Sequence, residues 1–225
     1  MSGGACPPAI GWAGRSEQDP NPPGATPGDP AGAGSEWPVS EGESAEPAAI
    51  TVRLAGTEDA ALLAELGAQA FAHAFGPDNT SENMDAYLRR SFGVQIQAAE
   101  LADPETRFLV AEIGGEAVGY ARLREGEAPP AISGANPIEI GRFYARPDWI
   151  GRGVGAALMR ACLEHARQRG KDRVWLDVWE RNQQGRAFYT RWGFREVGTQ
   201  PFRLGEDIQT DILMERSILP EGPGV

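Results

Sequence analysis

The chain has 225 residues, 41% hydrophobic and 24% charged, with a formal net charge of −11; this allows one domain with a real core and leaves too little for two. Its basic residues are interspersed with Asp and Glu, which excludes the clustered cationic surface that nucleic-acid phosphates require. No run of about 18 apolar residues occurs and the N-terminus lacks the pattern of a secretory signal, so no membrane partner is expected and the cytoplasm is the expected compartment.

Residues 1–48 hold nine Gly and nine Pro, as in NPPGATPGDPAGAG, with seven acidic residues against Arg15 alone. A segment with so few aliphatic side chains cannot offset its ordering entropy, and a disordered acidic tail is expected there. The folded domain is then 49–219, with a flexible end at 220–225. Of the basic residues only Lys171 is Lys, a skew that points to a GC-rich, bacterial coding sequence. Cys6 and Cys162 provide neither a disulfide framework nor metal-ligand spacing, so a reducing compartment and no metal are expected.

Ile50-Thr-Val-Arg-Leu alternates as a first strand, and Thr57-Glu-Asp offers an N-cap for AALLAELGAQAFAHAF. Gly76-Pro77-Asp78-Asn79 breaks that helix. A second helix runs from Ser81 through Tyr87 and Phe92, with a further helical turn around Gln95 to Leu101. Phe108 to Ile113 and Ala117 to Leu123 flank Gly114-Gly115, the composition of a tight hairpin. Ile138 to Ala145 reads as a fourth strand. The helix carrying Leu158, Met159, Cys162 and Ala166 stops at Gly170, and Arg173 to Trp179 is a fifth strand. Gln184 to Trp192 is a short helix, and strands close the chain near Glu196–Leu204 and Asp211–Ser217. The order is βααββ, βαβα, ββ, an α/β arrangement of about seven strands.

Between the fourth strand and its helix stands DWIGRGVGAALM, residues 148–159. Glycines so dense ahead of a helix suit backbone that closely approaches a phosphate. A P-loop needs Lys and then Ser or Thr after the last glycine, and Gly155 is followed by Ala156-Ala157. Gly151-x-Gly153-x-x-Ala156 fits a dinucleotide fingerprint on paper. Against it, four residues (146–149) separate the turn from its strand, several strands precede it, and no acidic residue ends a strand about 20 residues on.

IEIGRFYARPDWIGRGVGAALM, together with WLDVWERNQQGRAFYTRWGF downstream, resembles the GNAT superfamily of acetyl-coenzyme A-dependent N-acetyltransferases. The likeness runs from about Ile50 to Leu219. In FAHAFG and QPFRLGEDIQTDILM it is nearest the bacterial small-molecule amine branch, including polyamine acetyltransferase-like members. It implies a GNAT fold: a mixed, mostly antiparallel sheet splayed between its fourth and fifth strands to admit coenzyme A. It also implies acetyl transfer to a primary amine of a small molecule, such as a polyamine or amino acid, by a monomer or homodimer. A non-catalytic acyl-CoA-binding module and acetylation of a peptide N-terminus are the alternatives.

The resemblance places the pyrophosphate on Ile150, Gly151, Arg152, Gly153, Val154 and Gly155, where backbone N–H groups meet a helix N-terminus. Ile150 stands where the pattern prefers Arg or Gln, and Gly185 where Ala is usual. Main-chain groups of Phe143, Tyr144 and Ala145 would meet the pantetheine and the oxyanion. Asn182 would hydrogen-bond the pantetheine, or serves as a plain helix cap. Tyr189 would act as general acid to the thiolate, or packs in the core beside Phe188 and Trp192. Glu139, eleven residues before Ile150, would accept the amine proton, or pairs with Arg142 or Arg122. Strand alternation puts Glu139, Gly141, Phe143 and Ala145 on one face. Phe71, His73, Phe75 and Tyr87 fall where the family builds its acceptor pocket; a lone His there is also a common structural residue. Asp78, Glu82 and Asp85 nearby suit a cationic amine or a solvated face.

Overall fold

The computed structural model describes residues 49–204 and 207–218; the expected acidic tail and C-terminal end lie outside them. Seven strands form one sheet: β1 (Ile50–Leu54), β2 (Thr106–Ile113), β3 (Glu116–Glu125), β4 (Pro137–Ala145), β5 (Arg173–Trp179), β6 (Arg195–Leu204) and β7 (Asp207–Ser217). Their order is β1-β2-β3-β4-β5-β7-β6. Only β4 and β5 run parallel, because the helix between them crosses from the end of one strand to the start of the next.

Helices α1 (Ala60–Phe75), α2 (Ser81–Ser91) and α3 (Val94–Ala102) cover one face, and α4 (Val154–Gln168) and α5 (Gln183–Arg191) the other. Neighbouring β4 residues show the division. Tyr144 meets Phe92 beyond the end of α2, at 6.2 Å between ring centroids, while Phe143 meets Phe188 and Tyr189 of α5 at 5.7 and 6.1 Å. The expected stops act locally. Gly114 and Gly115 take φ of 60° and 85° between β2 and β3, and Gly170 takes 64° after α4, conformations that side chains with a Cβ rarely adopt. Thr80 caps α2 by accepting from the Asn83 N–H at 3.3 Å. Pro201 lies in β6, an edge strand, where a missing N–H costs little.

Strand β4 has two irregularities. First, Arg142 pairs with Arg122 but Ile140 pairs with Leu123, so Gly141 is an extra residue in the strand. A β-bulge of this kind resets the alternation. Glu139 therefore shares the α1–α3 face with Arg142 and Tyr144, opposite to Phe143, and the side predicted by simple alternation is corrected. Second, β4 pairs with β5 only over Pro137–Glu139 and Arg173–Trp175. Beyond Glu139 the two strands share no ladder, and the sheet opens between them.

A buried polar knot fixes α3 to the same face. Glu100 accepts from Arg142 at 2.6 and 3.0 Å and from Arg122 at 2.5 Å, while Arg142 also donates to Gln97 Oε1 and the Ser91 carbonyl. Arg122 and Arg142 are almost wholly buried, and two such cations are tolerated only with carboxylates beside them: Glu100 bonds both, and the charge of Glu139 acts on Arg122 as well.

Candidate active site

The glycine turn stands at the open end of β4. Gly151 and Gly153 have φ of 80° and 90°, and Gly153 is the left-handed N-cap of α4. The turn closes with the Ile150 N–H on the Pro147 carbonyl and the Arg152 N–H on the Trp149 carbonyl, both at 3.3 Å. The first intrahelical bond is the Ala157 N–H to the Gly153 carbonyl at 3.0 Å. The N–H groups of Val154, Gly155 and Ala156 thus precede any helical acceptor and converge at the positive end of the helix dipole. Such a cradle fits a pyrophosphate. Ile150 is half-buried and packs against the core, which explains an apolar residue at that position: its side chain anchors the turn from behind. The Arg152 guanidinium lies over the Trp149 ring at 5.4 Å, leaving a cation at the rim.

Between the turn and the bulge, Phe143, Tyr144 and Ala145 present main-chain groups on the side where β5 has parted from β4. An extended amide-bearing arm can pair there as a missing strand would. Asn182 caps α5, its Oδ1 accepting from the Gly185 N–H at 2.8 Å. A Cβ on residue 185 would lie 2.6 Å from Asn182 Nδ2, so Gly185, where the family pattern has Ala, makes room for the folded-back cap.

Glu139 is 3% exposed, and its Oε2 accepts from Arg124 Nε at 2.8 Å. The ion-pair partner is Arg124, directly across the strands, and neither Arg142 nor Arg122, which Glu100 occupies. A Cβ on Gly141 would lie 3.2 Å from Glu139 Oε1 and 2.7 Å from Arg122 Nη2, so the bulge glycine keeps open the space beside the carboxylate. A cavity of about 590 Å³ is bordered by Glu139, Arg124, Trp175, Asp177, Gln200 and Phe202, among others. It opens on the α1–α3 side of the splayed sheet.

Tyr189 is on the other face, 2% exposed, with its ring edge-on to Phe143, Phe188 and Phe194. Burial, with Cys162 and Asp177 nearby, pushes its hydroxyl well above the usual phenol range and keeps it protonated. Phe71, Phe75 and Tyr87 form one buried stack, at 4.3 and 4.4 Å between centroids. Phe75 reaches Trp179 and Tyr87 reaches Phe202, so the stack meets the cavity wall. His73 does not join them and is exposed: two residues from Phe71 and Phe75, it points away from their shared helix face. Asp78, Glu82 and Asp85 are likewise exposed, the solvated face of the two expectations.

Two further carboxylates belong to this region, although no motif in the sequence singles them out. Asp177 (β5) and Asp211 (β7) are 3% and 0% exposed on the cavity face. A signal for them does exist: each is an aspartate within a strand otherwise rich in apolar residues, WLDVW and TDILM.

Comparisons with known proteins converge on one family. Residues 68–194 match the acetyltransferase (GNAT) family. Uncharacterized N-acetyltransferases of Mycobacterium bovis and Mycobacterium tuberculosis are 34% identical over 161 residues, 72% of this chain and 99% of theirs. One from Lactobacillus delbrueckii subsp. lactis is 32% identical over 151 residues, 67% and 87%. Mycobacterium tuberculosis N-alpha-acetyltransferase RimI is 36% identical over 100 residues, 44% of this chain and 58% of that protein. Among solved structures, the PaiA N-acetyltransferase of Thermoplasma acidophilum in complex with coenzyme A superposes with a TM-score of 0.63 at 21% identity, covering 75% of this chain and 99% of that one. YncA of Salmonella typhimurium, solved with acetyl-CoA, gives 0.55 at 20% identity, covering 79% and 98%. The open sheet with its parallel β4–β5 pair and glycine turn is a GNAT fold. The chain belongs to the acetyltransferase (GNAT) family and is an N-acetyltransferase of that type.

Proposed function

We propose that the protein moves the acetyl group of acetyl-CoA onto a primary amine of a small molecule by direct attack in a ternary complex. The parting of β4 from β5 carries this reading, because it joins a phosphate cradle at one end to a carboxylate-lined cavity at the other. Bound there, acetyl-CoA supplies the thioester. The α4 N-terminus and Gly151–Gly155 hold the pyrophosphate, and main-chain groups of Phe143, Tyr144 and Ala145 hold the pantetheine and stabilise the oxyanion.

Glu139 has Oε2 committed to Arg124, which leaves Oε1 to take the proton of the amine as it attacks. Tyr189 donates to the departing thiolate. A free phenol (pKa roughly 10) does not give its proton fully to a thiolate (roughly 8.5), so its contribution is a hydrogen bond to the developing charge. Asn182 holds the start of α5 and with it Tyr189. Likeness to YncA and to PaiA, whose structures hold acetyl-CoA and coenzyme A, supports the cosubstrate. A peptide N-terminus is the second reading, favoured by the likeness to RimI.

Thiol release from acetyl-CoA, measured over polyamines, amino acids, aminoglycosides and short peptides, tests both. Saturable acetyl-CoA binding and release with one class of small amine is expected. No saturable binding at millimolar acetyl-CoA defeats the proposal, and release with peptides alone favours the second reading.

A further inference from the structure

Strands β3 and β4 are antiparallel neighbours, and such a pair closes with roughly two to five residues. Here residues 126–136 stand between them, and their course is not that of a turn. Ser133 reaches β7: its N–H and its hydroxyl donate to the two carboxylate oxygens of Glu215 at 2.7 and 2.8 Å, and Arg195 donates to the same carboxylate at 2.6 Å. Ala131 lies against β6, where a Cβ on Gly198 would stand 3.0 Å from the Ala131 Cβ. The N–H groups of Ala135 and Asn136 then bring the chain back to Asp172, ahead of β5, at 2.6 and 3.1 Å. The segment thus leaves β3, crosses the closed end of the β4–β5 seam onto the far half of the sheet, and returns to β4.

Its path lies on the cavity face. Residues opposite one another in neighbouring strands share a face, and the ladders make one row from Arg124 through Glu139, Trp175 and Glu215 to Arg195. Ser133 sits on that row at Glu215, while Gly126, Ala128 and Pro129 border the cavity itself. Gly126 follows Glu125, which pairs with Ile138. Both ends of the segment therefore stand two residues along the strands from the level of Glu139, about 7 Å. The glycine turn and the parted strands lie the other way. On the side away from them the cavity is walled by backbone and short side chains, fastened at Glu215, Gly198 and Asp172.

We infer that residues 126–136 form a strap that sets the length of the acceptor. An amine placed at Glu139 Oε1 can run about 7 Å toward the strap before it meets Ala128 and Pro129. Trp175 and Phe202 beside them are large and apolar, so an alkyl chain is stopped there by the strap and by nothing in the chemistry of the walls. Compact amines fit. An extended peptide advances about 3.3 Å per residue, so one running this way meets the strap by about its third residue. Glu215 and Gly198 are positioning residues, acting through the strap. The inference rests on the acetyl-transfer reading for the fate of the amine, but the length limit is a binding claim.

Calorimetric titration of the full chain, without acetyl-CoA, compares 1-aminobutane with 1-aminooctane, which carry the same charge and differ in length. The shorter amine should bind about tenfold more tightly, against the order expected in an unobstructed groove, where the longer chain buries more apolar surface. Glu215→Ala frees Ser133. Gly198→Val pushes Ala131 off β6 and leaves Glu215 in place; Gly198 has no left-handed φ, so the contact alone is strained. Each should bring the ratio close to one or reverse it, with 1-aminobutane affinity little changed, and Ser133→Ala decides if neither variant folds. Affinity lost equally for both amines would give the loop a structural role only and overturn the inference. So would an unaltered protein that binds the two alike, prefers the longer, or binds neither. A length limit without acetylation of any amine would defeat the transfer reading alone.

Discussion

At the residue scale, Tyr189, Glu139 and Asp211 sit in contrasting environments that give each a different test. Tyr189 is buried among aromatic rings and stays protonated. Tyr189→Phe should lower turnover by about a hundredfold, the lower end of what a positioned proton donor contributes, with the KM for acetyl-CoA nearly unchanged. Steady-state kinetics measure it, and an unaltered turnover removes Tyr189 from the chemistry. Glu139→Gln should lower turnover as well in the same assay, because the amide cannot take the amine proton; an unaltered turnover removes Glu139 from that role. Asp211 makes a thermodynamic prediction. Burial first, and then the nearby Asp177 and Glu180, push its carboxyl up to about 8. In the unfolded chain it titrates near 3.9, so between these values the folded protein binds more protons and stability falls as pH rises. Denaturant titrations from pH 5 to 8 should show this decline, flattened in Asp211→Asn. A slope unchanged by the substitution would show that Asp211 titrates normally. The presence of Glu139 at the site is readable from its place eleven residues ahead of Ile150. Its orientation is harder to read, because it depends on the bulge at Gly141, which pairing with β3 sets; the glycine inside the strand is its one local sign, and simple alternation passes over it.

Elements carry the proposed cofactor site. Two left-handed glycines and an unencumbered α4 N-terminus form the cradle. Both are local features, which is why they are plain in the sequence. Gly153→Ala places a Cβ at a φ of 90°, with Ile50 Cδ1 3.4 Å away. The expected cost is about 1–2 kcal/mol of stability, with weaker coenzyme A binding by calorimetry as the turn relaxes; unchanged affinity would mean that the turn does not hold the pyrophosphate. The acceptor side is less legible. Phe71, Phe75 and Tyr87 follow from helix spacing, whereas His73 is their neighbour in sequence only, turned to solvent by the helix. Asp177 and Asp211 come together only because β7 inserts between β5 and β6, a pairing of strands distant along the chain that no local pattern announces.

Over the whole molecule, a sheet held shut at one end and open at the other needs its halves anchored independently. On the β1–β4 side Glu100 does this, tying α3 to Arg122 and Arg142. Glu100→Gln removes the carboxylate that both buried cations share and should cost about 3–5 kcal/mol, seen as a lowered denaturant midpoint. The β5–β7–β6 side is tied by its own ladders, so each side of the gap between β4 and β5 is held by its own contacts. That gap is the basis of the claim that this chain acetylates a small amine. The most direct measurement is mass spectrometry of 1,4-diaminobutane incubated with the protein and acetyl-CoA, with free thiol followed in parallel. A product heavier by one acetyl group, formed in step with the thiol released, is the predicted result. Saturable acetyl-CoA binding with thiol release no faster than background, and no acetylated product from this or any other small amine, would contradict the claim.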